Sequence, residues 1–368
     1  MVGEYDGTLF EYDGLDGFKR IASEAAAQTA GNMALNGLLE ESASRGESAQ
    51  VWWDRLVLMA GLTEGLGSKN LVADEEDKNE PEGESNYKSI AQDSMAMIVN
   101  DLAVVGARPE LFWMHMAVGA DSWFANERRA RAFVNGTRDI CNKLQMTWLG
   151  GETPGLKGMV YPNAAIISGT AIGKIGPEER YIRGTKVEAG DRIFMLPSSG
   201  IHANGLTDAR GLAERLPDGY NTKLSDGSKF GETLLTPTHL YVEFVQTALD
   251  EGIEIKRLEN MTGHGWRKIM RGPSDFTYRM THIAPKMPIF DFLQEQYGVS
   301  DEKMYKIYNM GVGFGAYVKP EFIQPLSDIA SDLGFNGAGE FGVVEKGPKQ
   351  VIIDPLKLTL AGSTLAIR

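Results

Sequence analysis

The stretch IAQDSMAMIVNDLAVVGA, residues 90–107, decides how this chain is read. It sits in a longer helical pattern over residues 87–105. Its few polar residues are regularly placed. Asp93 and Asn100 are seven apart and stack on one face at about 3.6 residues per turn, and Asp101 falls in the same quadrant. Ile98, Leu102 and Val105 cover the opposite side. Carboxylates on an apolar helix are costly to bury unless they are paired or hold a metal. The stripe is therefore either a solvated face or, with Glu64 nearby, a hard-cation site with magnesium favoured.

Working outward, TEGLGSK at 63–69 closes an apolar run over residues 55–62 that is expected to be a strand. Glu64 offers a carboxylate, Gly65 and Gly67 allow close backbone approach, and Lys69 suits phosphate oxygens. The spacing is not that of a P-loop, and a plain turn also accounts for it. Downstream, LGGETPG at 149–155 opens a strand into a glycine-rich turn, where Glu152 is either a ligand or a turn residue. SSGIHANG at 198–205 precedes a helix, and its hydroxyls and N–H groups suit an anion, although Asn204 also reads as an N-cap. NMTGHGWRK at 260–268 again runs from a loop into a helix, with His264 either a surface or a catalytic histidine. Together with the glycines at 311–315, these clusters point to a phosphate-rich ligand held by backbone N–H groups.

Between the clusters, helices are expected over residues 15–44, 126–145, 206–215, 237–250, 288–296 and 320–333. Strands are expected over 110–118, 146–149, 164–172, 192–196, 312–318 and 339–344. The segment ADEEDKNEPEGES at 73–85 carries seven acidic residues and a proline, and reads as a solvated loop with a mobile flap as the alternative. A glycine- and proline-rich break at 173–177 divides the chain into 1–173 and 174–368, two halves of mixed α+β character.

The composition excludes several classes. With 37 Lys+Arg against 50 Asp+Glu, the net charge of −13 argues against sequence-independent nucleic-acid binding. A single cysteine, Cys141, forms no internal disulfide, so a reducing, cytoplasmic setting is expected. The acidic first residues do not read as a signal peptide, and no apolar run reaches the roughly 18 residues of a membrane span. Five scattered histidines, with no HExxH and no serine-nucleophile motif, compose no transition-metal or acyl-transfer site. The chemistry left is phosphoryl transfer, governed by positioning and charge neutralisation.

The order of the motifs resembles the aminoimidazole ribonucleotide synthetase family, the phosphoribosylformylglycinamidine cyclo-ligases. Its superfamily includes selenophosphate synthetase, thiamine-phosphate kinase and the hydrogenase-maturation dehydratase. The matching segments are TEGLGSK, IAQDSMAMIVNDLAVVGARP at 90–109, GGETPG, SSGIHANGL, LLTPTHLYV at 234–242, NMTGHG and MYKIYNMGVGF at 304–314. The resemblance implies an N-terminal domain giving four strands to a barrel closed across a homodimer, with a C-terminal α/β domain beside it. It implies ATP-driven ring closure of formylglycinamidine ribonucleotide, a small-molecule substrate. By position, Glu64, Asp93 and Asp101 would gather magnesium on ATP with Asn100 in support, and Lys69 would face the transferred phosphoryl group. Gly65, Gly67, Gly150, Gly151, Glu152 and Thr153 would line the nucleotide groove. Ser199, Gly200, His202, Asn204, Gly263 and His264 would face the substrate, with Asn260 and Thr262 near the reacting amide. The chain departs from the family pattern in four places: Glu64 stands for Asp, Asn260 for His, His239 for Arg, and His264 for a glycine. The family's N-terminal glycine-rich loop also finds no match in residues 1–50. These departures keep two other readings open, a superfamily enzyme acting on a different amide or small acid, and a non-catalytic nucleotide-binding paralogue.

Overall fold

The computed structural model describes residues 38–40, 50–54, 57–79 and 83–364. The first half lays down β1 (Leu38–Glu40), β2 (Gln50–Asp54), β3 (Val57–Gly65), α1 (Lys69–Asn79), α2 (Tyr87–Val104), β4 (Arg108–Val118), α3 (Glu127–Leu144), β5 (Thr147–Glu152) and β6 (Ala165–Ile175). The six strands form one sheet in the order β1-β2-β3-β6-β4-β5, antiparallel except where β5 runs parallel to β4. Alternation fixes which face is covered. Ala165, Ile167, Ala171 and Ile175 of β6 are buried, while Ile166 between the first two is 52% exposed. α2 packs across the covered face. α3 backs it with Phe133, Ile140, Cys141 and Leu144, and its N-cap Asn126 accepts from the Arg129 N–H. The resemblance implied four strands, and the hairpin β1–β2 extends the sheet beyond that number.

The second half continues with β7 (Arg192–Pro197), α4 (Leu206–Ala213), α5 (Phe230–Leu234), α6 (Val242–Asp250), β8 (Ile255–Asn260), β9 (Thr277–Met280), α7 (Pro288–Tyr297) and α8 (Asp301–Ile307). It ends with β10 (Val312–Val318), α9 (Ile323–Asp332), β11 (Gly339–Glu345), β12 (Gln350–Ile353) and β13 (Leu358–Ala361). Its sheet has the order β13-β12-β9-β11-β7-β10-β8, antiparallel except between β12 and β9. β10 is buried along its whole length between β7 and β8. α2 is buried nearly all round because it is covered on two sides. It packs on β3 and β6 of its own half and on β8 and α6 of the other. Among the described residues, no helix is long and apolar enough to cross a membrane.

Several expectations need correction. The helix placed over residues 15–44 lies outside the described residues, apart from Leu38–Glu40, which is a strand. The acidic segment after residue 73 is not a solvated loop through residue 79. It belongs to α1, with Asp74, Glu76 and Asp77 buried. Partners explain the difference. Asp74 accepts from the Tyr87 hydroxyl at 2.9 Å and from Arg129 at 3.1 Å, and Asp77 accepts from the Asn86 N–H at 2.9 Å and from Ser85. A run of acidic residues is solvated only when no buried donors meet it. The helix expected over 237–250 starts only at Val242, because the backbone of the non-helical chain before it is hydrogen-bonded to side chains of α2. The helix expected at 320–333 opens with a tighter 3₁₀ turn, Pro320–Phe322, before α9.

Candidate active site

Lys88 in the first turn of α2 is exposed, but the helix's polar residues from Gln92 onward do not face solvent. They read the backbone of the other half. Gln92 donates to the Thr238 carbonyl at 2.8 Å. Asn100 donates to the His239 carbonyl and accepts from the Tyr241 N–H, both at 2.9 Å. Asp93 accepts at Oδ1 from the Thr238 N–H at 2.8 Å and hydroxyl at 2.6 Å. Lys69, at the first turn of α1, places its Nζ within 2.9 Å of both Asp93 oxygens and donates to the Thr236 carbonyl at 2.7 Å. Both side chains are fully buried. Burial pulls the lysine's pKa down and pushes the aspartate's up, and the pairing opposes both shifts. The three donors on Asp93 Oδ1 support the charged pair.

The same helix reaches the third motif. Asp101 accepts from Asn260 Nδ2 at 2.6 Å, at the end of β8. Lys268, 1% exposed, reaches back from the next turn to donate to the Asn260 carbonyl at 2.8 Å and to the Thr262 hydroxyl. Asn260 and Thr262 are thereby gripped from two sides. The second gathering residue is Asn309. Its Oδ1 accepts from the Ser198 hydroxyl at 3.1 Å and the Gly311 N–H at 3.0 Å, and its Nδ2 donates to the Gly200 carbonyl at 2.8 Å. Its own carbonyl accepts from Trp266 Nε1 at 2.9 Å. One asparagine thus ties together the loops at 198–200, 266 and 309–311. His202 is buried with φ 59°, and its Nε2 accepts from the Ser199 N–H at 3.1 Å. Burial, then the nearby His239 and Lys69, hold the His202 pKa well below the usual histidine range. The Ser199 hydroxyl donates to the Pro237 carbonyl at 2.6 Å.

These loops surround a cleft of about 330 Å³ lined by Gly67 and Ser68 from the first half, and by residues 203–208, Gly263, His264, Arg267, Lys306 and Ile307 from the second. Gly205 cannot be replaced without moving its neighbour, since it has φ 73° and a Cβ there would lie 2.3 Å from the Tyr308 ring. Of the expected site residues, Gly67, Asn204, Gly263 and His264 line this cleft. Lys69, Asp93, Asn100, His202 and Asn260 stand behind it, buried. Glu64 and Gly65 end β3 beside it in sequence. Gly150, Gly151, Glu152 and Thr153 are exposed, the first three of them on the edge strand β5 and Thr153 just after it, and none of the four lines the cleft. Gly151 has a structural reason: a Cβ there would sit 1.9 Å from the Met114 carbonyl, across the parallel pairing with β4.

Glu64, Asp93 and Asp101 do not form a ready cage for magnesium. Among the described residues no three carboxylate, imidazole or thiolate groups converge. Asp93 is neutralised by Lys69, and Asp101 already accepts from Asn260. Sequence reasoning missed Thr238, Lys268 and Asn309. All three stood inside quoted stretches, LLTPTHLYV, NMTGHGWRK and MYKIYNMGVGF, and for Asn309 an asparagine at the entry to a glycine turn was the available signal.

Comparison with known proteins places this geometry. Residues 57–175 match the family model described as AIR synthase related protein, N-terminal domain, and residues 188–355 match its C-terminal domain counterpart. The chain belongs to the AIR synthase related family. Among curated family members, a phosphoribosylformylglycinamidine cyclo-ligase of Methanocaldococcus jannaschii is 34% identical over 271 residues, 73% of each chain. One from Brevibacillus brevis is 32% identical over 305 residues, covering 82% of this chain and 84% of its own. The fold recurs in AaThiL complexed with AMPPCP and TMP (TM-score 0.62, 14% identity, 96% of this chain and 97% of that one). It recurs also in T. maritima PurL complexed with ATP (TM-score 0.56, 13% identity, 89% of this chain and 48% of that one).

Proposed function

We propose that this protein is an ATP-dependent carbon–nitrogen ligase of purine biosynthesis, closing formylglycinamidine ribonucleotide to aminoimidazole ribonucleotide with release of ADP and phosphate. The observation that carries the reading is the cleft between the two halves. There the Gly67–Ser68 turn meets the 203–208 and 263–267 loops, in a chain whose curated relatives bear the cyclo-ligase name.

The chemistry follows from the substrate. A formamide carbon is a poor electrophile, so its oxygen takes the γ-phosphoryl group of ATP, with ADP leaving. The amidine nitrogen then attacks the activated carbon, and the C–O bond breaks to release phosphate. Glycine turns and helix starts around the cleft suit the charge on such a phosphate. Asn260 is an amide, which donates and accepts hydrogen bonds but does not ionise, so its part is positional. Held by Asp101 and Lys268, it fixes the Thr262–Gly263 backbone near the reacting amide. Lys69 serves the site through Asp93, setting the 236–241 segment rather than touching the phosphoryl group in this arrangement. Magnesium comes with ATP as part of the substrate. We assign Gly150, Gly151, Glu152 and Thr153 to the far end of the nucleotide and Ser199, Gly200, His202 and Asn204 to the substrate side.

We further propose a cytoplasmic homodimer, with residues 1–173 as the nucleotide-binding and dimerising half and 174–368 as the other. The sheet face away from α2 supports this. It carries Thr63, Thr170 and Trp113 paired across adjacent strands and Ile166 further along β6 at 52% exposure, with Leu149 51% exposed and Tyr161 85% exposed. Apolar exposure on this scale asks for a cover. The reaction is tested with substrate carrying ¹⁸O in the formyl oxygen. Label recovered in inorganic phosphate supports phosphorylation of the formamide, and unlabelled phosphate alongside aminoimidazole product contradicts it.

A further inference from the structure

A second cavity, of about 290 Å³, lies wholly within the first half. Asp74 and Asp77 of α1, Trp123, Arg128 and Arg129 at the start of α3, and Asn163 before β6 line it, and none of its lining residues belongs to the cleft between the halves. The wall is held firmly. The Arg129 guanidinium stacks over the Trp123 ring at 3.9 Å, and it donates to the Trp123 carbonyl and, at 3.1 Å, to Asp74 Oδ1. The Tyr87 hydroxyl donates to the same Oδ1 at 2.9 Å. Both Asp77 oxygens accept, one from Ser85 and one from Asn86. Arg128 donates to the Asp77 carbonyl at 2.9 Å and to the Gly83 carbonyl at 2.7 Å.

Three buried atoms of these lining residues have no hydrogen-bond partner in the protein: Asp74 Oδ2, Trp123 Nε1 and Arg129 Nε. Asp74 is 8% exposed and Trp123 4%. Native interiors leave few such atoms, and three on one cavity point to a missing occupant. One is a carboxylate acceptor and two are donors. A simple anion would satisfy the donors and be repelled by Asp74, and a simple cation would satisfy Asp74 and be repelled by Arg129. Asp74 and Arg129 are in contact, so a ligand that answers both carries opposite charges on neighbouring atoms. The carboxylate and ammonium of a free α-amino acid are such a pair. The N-terminus of the 18-residue α3 favours the carboxylate on the Arg129 side. Burial pushes the Asp74 pKa up, and an ammonium at Oδ2 would draw it back. The volume is near the lower end for ligand cavities and suits a molecule of this size.

We propose that this cavity is a binding site for a free α-amino acid: Trp123 Nε1, Arg129 Nε and the start of α3 receive its carboxylate, and Asp74 Oδ2 receives its ammonium. The site is separate from the cleft between the halves and does not depend on the reaction assigned there. Asp74 shares α1 with Lys69, so occupancy stabilises the helix that carries that lysine.

The test is thermal unfolding and calorimetric titration of the full chain with each common L-amino acid in turn, and with acetate and methylammonium as the two halves of the recognised group. The proteins are the wild type, Trp123→Phe and Asp74→Asn. Trp123→Phe keeps an aromatic ring under Arg129 and removes the Nε1 donor. Asp74→Asn keeps an oxygen for Tyr87 and Arg129 and puts an amide where Oδ2 stood. Circular dichroism confirms that each variant is folded, and Trp123→Phe decides alone if Asp74→Asn is not. At least one amino acid is expected to bind the wild type saturably at millimolar concentration or below and to raise its melting temperature, with acetate and methylammonium without effect. Each folded variant is expected to bind that amino acid about tenfold more weakly, the loss of one charge-assisted hydrogen bond. No amino acid binding to the wild type overturns the assignment and leaves the three atoms to water. Undiminished affinity in Trp123→Phe overturns it too, since the amino acid then sits elsewhere. Acetate binding as tightly as any amino acid makes this a plain anion site and refutes the role given to Asp74.

Discussion

Replacing Asp93 by Asn probes the contact on which the join between the two halves depends. The substitution keeps the shape of the side chain and removes its charge. Lys69 is then left with an ammonium at 0% exposure and no carboxylate, held only by the Thr236 carbonyl at 2.7 Å. The Asn Oδ1 can still accept from Thr238, but its Nδ2 faces the lysine, donor to donor. Breaking a buried pair by removing one partner costs about 3–5 kcal/mol. At about 2–4 °C per kcal/mol for domains of this size, the melting temperature should fall by roughly 6–20 °C. A thermal melt followed by circular dichroism reads the shift. Lys69→Met in the same background separates the causes, since it removes the stranded charge and should recover part of the loss. Turnover should fall too, because residues 236–241 lose their anchor, while substrate binding through the cleft should change less. A melting temperature within 2 °C of the wild type would refute the reasoning, and so would a Lys69→Met that deepens the loss.

Other outcomes follow from the same contacts. The His202 pKa is depressed by burial, so between the unfolded value near 6.5 and its lower folded value the unfolded chain binds the extra proton. Its contribution to stability is complete above about pH 6.5 and is lost at about 1.4 kcal/mol per pH unit as pH falls below it. Melts from pH 8 to pH 5 should show this slope, and His202→Gln, which can still accept from the Ser199 N–H, should flatten it; an unchanged slope in the variant removes His202 as its source. Asn309→Ala deletes three side-chain hydrogen bonds that join separate loops, and should cost about 2–4 kcal/mol in urea unfolding. A loss under 0.5 kcal/mol would mean that those loops hold their places without it. Ile166→Glu puts a charge on the open sheet face and should convert the proposed dimer to monomer by light scattering, with the fold retained; a persistent dimer would place the interface elsewhere.

What the sequence made legible was the periodic part. α2, α3, β4, β6 and β10 follow from apolar spacing, because each is long enough for its pattern to stand out from its neighbours. The glycine turns marked which loops approach one another, and Gly67, Gly205 and Gly263 do meet at one cleft. Charge was harder to read. Asp93 and Lys69 are 24 positions apart, and nothing local says that one neutralises the other, so the acidic stripe pointed as readily to a cation as to a solvated face. Asp74 and Asp77 looked solvated for the same reason, since Arg129 and Asn86 meet them only after folding. The non-helical 236–241 segment was hidden by its residues' ability to continue a helix, and only the α2 side chains that bind its backbone decide against that.

The most direct test of the central claim is to supply ATP, magnesium and formylglycinamidine ribonucleotide, and to follow ADP and aminoimidazole ribonucleotide together. The account predicts that ADP appears only with the ribonucleotide present, in equal amount to the aminoimidazole. ADP release indifferent to that substrate, or ADP without aminoimidazole, would contradict it.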